Sequence, residues 1–252
     1  MKLFANLLIP ILMIGVVSNV LALDEKYYST VEPVINAFKS ENKRVISALI
    51  EYPINRRKPL EPIRNETEFL ARFDEVFDEK LMSIISNSKK EEDWNSVGWR
   101  GLTLKNGLIW INSTGKITAI NYESSTEENI KEELIKKQKL TLHKSIRSYK
   151  EPVLEWKTKK FHIRIDEVEN NNYRYTSWSL SKKTSVRPDI VLFSNVVVFD
   201  GSGGNHHFVF KSGKYKYLCY INRLGTNETP PGSIEVFKEG ELLLSDPVIE
   251  VL

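Results

Sequence analysis

The chain has 252 residues, 41% of them hydrophobic and 27% charged, with a formal net charge of +3. That hydrophobic fraction supplies packed cores, and the length suits one large or two small domains. The charge is weak and its signs are interspersed, which excludes the one-sided basic surface of a nucleic-acid binder, and the single cysteine, Cys219, excludes an internal disulfide, a Cys-x-x-Cys redox pair and a thiolate zinc site.

The opening MKLFANLLIPILMIGVVSNVLALDEKYY places one Lys ahead of an apolar run over residues 7–17, with Val20 and Ala22 at the −3 and −1 places. This pattern predicts a secretory signal peptide, residues 1–22, cut after Ala22. The run is shorter than the roughly 20 residues of a spanning helix, and Asp24 and Glu25 follow it. The expectation is an exported bacterial protein, periplasmic or secreted, with no stable membrane insertion.

Residues 23–125 read as an α+β domain. Val31, Val34, Ile35, Phe38, Val45, Ile46 and Leu49 form one helical stripe that stops at Tyr52-Pro53. Asn65 and Glu68 are spaced as a capping box for a second helix carrying Phe69, Phe73, Val76, Phe77, Leu81, Ile84 and Ile85. The period then changes to two, with a phase slip at Gly101 that suggests a bulge. Lys105-Asn106-Gly107 predicts a hairpin turn, and a three-stranded antiparallel meander results, with Trp99 and Trp110 facing each other on neighbouring strands. Residues 126–150 read as a Lys-rich connector helix capped by Ser125 or Thr126 and running to Arg147.

Residues 151–252 carry only strand signals: alternation through Phe161, Ile163 and Ile165, continuous apolar runs at 190–193 and 196–199 that predict buried strands, and short strands near Phe208, Tyr215, Ile234 and Leu242. Regular short strands of this kind predict an antiparallel β-sandwich or barrel.

The candidate site residues are few. The stretch DGSGGNHHFVF (200–210) gathers glycines, Asn205, His206 and His207. A phosphate loop needs a helix after its glycines, whereas alternation of His206, Phe208 and Phe210 predicts a strand. Adjacent strand residues face opposite ways, so His206 and His207 do not share a metal ion. The stretch reads as a turn between core strands, with a ligand-contacting loop as its alternative. His206 is expected to be partly buried and His207 the freer. Tyr175 and Trp178, with Trp156 and Tyr173, are candidates for an aromatic groove. Cys219 shares the phase of Tyr217 and Ile221 and reads as a buried, inert thiol. His162, Arg164 and Asp166 read as solvent-facing, and Asp74, Glu75, Asp78 and Glu79 as solvated helix charge. No metal site, cofactor site or catalytic triad is written by these residues.

The stretches ENKRVISALIEYPI, ETEFLARFDEVFDEKLMSII and GLIWINSTGKITAIN resemble the cone-shaped α+β domains of the nuclear-transport-factor and ketosteroid-isomerase superfamily, as found in exported bacterial proteins. The resemblance implies a cone of helices on a curved meander. It also implies, in some members, an Asp or His base in the cone pocket, which no residue here matches. Three functional expectations follow: a non-catalytic binding protein of the envelope with a small ligand or an envelope protein as partner; an acid–base enzyme with its pocket in the first domain; and a protein inhibitor or immunity factor docking through an exposed loop such as 226–231.

Overall fold

The computed structural model of the chain describes residues 23–169, 171–201, 203–226 and 228–252, so the expected signal peptide, 1–22, lies outside the described residues. Each long helical stripe breaks into shorter helices. The first becomes α1 (Tyr28–Lys39) and α2 (Lys43–Ser47). Between them Glu41 adopts a φ of 54°. Asn42 then caps α2 by accepting from the Arg44 and Val45 amides, an N-cap interaction that outcompetes continuation of the first helix. The second stripe becomes α3 (Glu66–Ala71), α4 (Phe73–Val76) and α5 (Glu79–Ser86). Asn65 caps α3 as expected, accepting from the Glu68 amide at 2.9 Å. Glu68 reaches back to the Arg64 amide. Asp78 caps α5, accepting from the Leu81 amide at 2.8 Å, and also accepts from the Tyr122 hydroxyl. With Asp74 paired to Lys43 and Glu75 to Arg72, three of the four carboxylates expected to be merely solvated have structural partners.

The meander has four antiparallel strands, one more than expected: β1 (Trp94–Ser96), β2 (Leu102–Leu104), β3 (Ile109–Ile111) and β4 (Ile117–Ile120), in that order. Residues 97–99, expected as a strand, turn away in a 3-10 segment (Gly98–Arg100). Trp99 is therefore 69% exposed rather than opposite Trp110, whose partner across the sheet is Thr103. Gly101 closes that turn at φ 96°, where an added Cβ would run into the Ile111 carbonyl. Only glycine meets both conditions. The hairpin at 105–107 forms as expected, all three residues having positive φ. The helices bury Val31, Phe38, Phe69, Phe73 and Phe77 with Leu104, Ile109 and Ile111 of the sheet. Full burial of each such side chain stabilises by about 1.5–3 kcal/mol. The polar side chains buried here, Ser47, Ser88 and Thr103, each donate to a backbone carbonyl.

Ser124, one residue before the expected caps, caps α6 (Ser125–Thr141) by accepting from the Glu127 amide. The helix stops at Thr141, short of Arg147, and a 3-10 turn (Lys144–Ile146) follows. Nine strands complete the chain: β5 (Glu151–Thr158), β6 (Phe161–Glu169), β7 (Asn172–Ser179), β8 (Ile190–Ser194), β9 (Val197–Phe199), β10 (His206–Ser212), β11 (Tyr215–Ile221), β12 (Gly232–Lys238) and β13 (Glu241–Val251). They form one antiparallel sheet in the order β8-β7-β6-β5-β13-β12-β11-β10-β9. The antiparallel β-rich half is present as expected, but in place of a sandwich or closed barrel these nine strands make a single curled sheet, with β8 and β9 as its two edges. The curl brings β7 and β8 over β10, so that Tyr173 meets Phe208 at 4.8 Å between ring centres and Tyr175 meets Phe210 at 5.4 Å. Only one face of β8 and β9 packs inward, through Ile190, Leu192 and Val197. The runs at 190–193 and 196–199, expected to be buried, consequently leave Phe193 and Phe199 largely in solvent.

Candidate functional site

Strand ends from both sheets meet around a cleft of about 910 Å3. The loop at 55–62, the end of β4 and the residues just after it form one wall. The start of β5, the start of β10 with Gly204, and the end of β11 form the other. His206 and Ile221 are direct cross-strand partners, which is why both reach the same wall. The volume falls within the range typical of small-molecule sites, about 300–1,000 Å3.

The charges around this cleft divide into spent and unspent groups. Arg56 is spent. Its guanidinium is nearly fully buried, pairs with the buried Glu127 and donates to the carbonyls of Ile120 and Tyr122. Lys131 is also spent, pairing with Glu123 at 2.6 Å and Glu151 at 3.3 Å. Burial works against its charge, but the two carboxylates outweigh burial and raise its pKa. Lys58 donates to the Leu252 carbonyl at 2.6 Å, tying the first wall to the last strand. Arg57 is different: its side chain is 69% exposed and its nearest carboxylate, Glu123, stands at 3.8 Å and is already held by Lys131. The two acids of the cleft, Glu123 and Glu151, share the one Lys131, while Arg57 is held only at 3.8 Å by Glu123 and Arg223 has no ion pair among the described residues.

His206 lines the cleft with a defined tautomer. Its Nδ1 lies 2.8 Å from the Gly204 carbonyl. A carbonyl only accepts, so Nδ1 carries the proton and Nε2 is left as the acceptor of the neutral ring. Phe199 and Phe208 flank the ring at 5.5 and 5.8 Å. Asn205 serves the turn itself, accepting from the Arg223 and Leu224 amides at 2.7 and 2.8 Å. These two hydrogen bonds between the loop and the segment after β11 set the backbone from which Arg223 projects. His207, expected to be the freer histidine, is held between Asp200 at 3.0 Å and the Tyr220 ring at 4.7 Å on the other face of β10. Tyr175 and Trp178 do not share a groove. Tyr175 is buried inside the curl, and Trp178 is buried on the outer face with Ile135, Leu142, Ile146 and Tyr149. Cys219 is fully buried, and burial pushes its thiol well above the ordinary value. Of the residues singled out in sequence, His206 and Trp156 line the cleft, with Pro231 of the loop at 226–231, whereas Asn205, His207, Tyr175 and Trp178 do not. Arg57 and Arg223 were missed because each is a lone exposed arginine in an irregular segment, without any local pattern.

The outer face of the curled sheet holds a second polar cluster, and it corrects the solvent-facing assignment of His162, Arg164 and Asp166. Arg164 and Asp166 are buried beneath α6 and the segment that follows it. Asp166 accepts from Arg164 at 2.8 Å and from Arg174 at 2.7 Å. Glu155 accepts from Arg164 at 2.6 Å, and His162 stands 2.8 Å from its other oxygen. Arg174 also donates to the carbonyls of Ile146 and Ser148, and the Arg164 guanidinium lies 4.9 Å from the Tyr149 ring centre. The alternation of these residues was visible, but the cover that buries them comes from 20 to 40 residues away in sequence. A depression of about 50 Å3 beside Glu155 and Arg164 has room for little more than a water molecule. The cluster has the form of a structural ion network joining α6 to the sheet.

No known protein family, no curated protein and no solved structure matches the chain.

Proposed function

We propose that this is an exported, non-catalytic binding protein whose small ligand occupies the cleft between the two sheets. The cleft carries the reading: it has the volume of a small-molecule site, its walls come from distant parts of the chain, and it keeps unspent polar groups beside an apolar surface supplied by Leu60, Ile221 and Pro231. Acid–base chemistry in the first sheet region has less support, because the space between its helices and strands is filled with apolar side chains. The His162–Glu155 pair lies outside the cleft, and Glu155 is held by Arg164, so its geometry suits structure better than turnover.

The test is a thermal-shift screen of a fragment library on the natural protein and on Ala119→Trp, which places bulk in the cleft wall. Compounds that raise the midpoint of the natural protein are expected to lose that effect in the variant and to be recovered chemically unchanged. Ala119→Leu, a milder filling, guards against a variant that fails to fold. Equal stabilisation of filled and unfilled proteins, or conversion of a bound compound to product, contradicts the reading.

A further inference from the structure

The charge arrangement points to the ligand class, and this inference rests on the binding reading above. We propose that the cleft takes an organic anion: an apolar body against Leu60, Ile221 and Pro231, and a carboxylate or phosphate between Arg57 and Arg223. Every carboxylate lining the cleft already has an internal cation. Lys131 serves Glu123 and Glu151, and Arg56 serves Glu127 directly behind the wall. A cationic ligand would have to compete with those buried pairs, whereas an anion finds two guanidiniums without a comparable partner. Guanidinium groups present paired N–H donors that match a carboxylate or phosphate edge. Both arginines line the cleft, Arg57 in the loop at 55–62 and Arg223 two residues after the end of β11. An anion held by both bridges the two sheets. His206 adds direction. With Nδ1 committed to the Gly204 carbonyl, its Nε2 accepts from a hydroxyl or N–H on the ligand body.

The experiment is calorimetric titration of the protein with four matched probes: 4-phenylbutyrate, phenyl phosphate, 4-phenylbutanol and 4-phenylbutylamine. The natural protein is expected to bind at least one of the two anions about tenfold or more tightly than the alcohol and the amine, with the advantage shrinking as salt is raised. Arg57→Gln and Arg223→Gln are each expected to remove most of that advantage while leaving the affinity for the alcohol unchanged. The preferred anion distinguishes the two acid groups. If the alcohol or the amine binds in the cleft as tightly as both anions, the anion inference is overturned and the binding reading stands. If Ala119→Trp changes no affinity for any probe, the cleft itself is overturned as the seat. If both anions fail to bind while the alcohol does, the two arginines are not an acid-group site.

Discussion

Glu155 shows how a single side chain is committed in this fold. Burial resists its ionisation, but the His162 hydrogen bond and the Arg164 guanidinium outweigh burial and hold its pKa below the ordinary 4.5. A carboxylate with a depressed folded-state pKa contributes stability that is complete above the ordinary value and is lost as pH falls through the depressed one. Glu155→Gln is therefore expected to lower the unfolding free energy by about 2 kcal/mol at neutral pH, with the difference shrinking at pH values below 4.5. Urea denaturation across a pH series checks this. A penalty that stays constant into strong acid contradicts the ion-pair role. Arg57 and Arg223 belong to the opposite class, since nothing in the described structure consumes their charge to the same degree.

At the scale of elements, local signals decided starts and turns, and distant contacts decided covers and edges. The Asn65 cap and the turn at 105–107 were legible, because each is a local backbone requirement met by one residue type, whereas the bulge expected at Gly101 is instead the close of a turn between β1 and β2. The predicted strand over Val97 and Trp99 was not correct: alternation over so few residues did not outweigh the turn that Gly98 and Gly101 permit. The outer face of β6 misled for another reason. Arg164 and Asp166 carry the polar pattern of a solvated face, yet α6 and the turn after it cover them, and sequence carries no mark of which helix lands where. The turn account makes its own prediction. Gly101→Ala forces both positive φ and a collision with the Ile111 carbonyl, and it is expected to cost at least about 2 kcal/mol. Gly213→Ala, at φ 55° in open space, is expected to cost only about 1 kcal/mol. Equal losses in thermal unfolding contradict the steric argument.

At the scale of the whole molecule, the site is a product of assembly. His206 was visible within its glycine-rich stretch, but the cleft it lines needs the loop at 55–62 from one end of the chain and the ends of β4 and β11 from others. No spacing rule links those segments. The struts that hold the walls together are ion pairs and hydrogen bonds between units: Arg56 with Glu127, Lys131 with Glu123 and Glu151, and Lys58 with the Leu252 carbonyl. The Arg56 and Lys131 pairs are buried, and such pairs fix a geometry more than they add net stability. The proposed anion, gripped by Arg57 and Arg223, would complete that set of bridges from the solvent side. The most direct measurement is a map of backbone amide NMR shifts during titration with 4-phenylbutyrate. The account predicts perturbations on both walls together, at residues 118–123 and at 204–206 with 222–223. Perturbations confined to one wall, or centred on the outer face around Trp178, would contradict it.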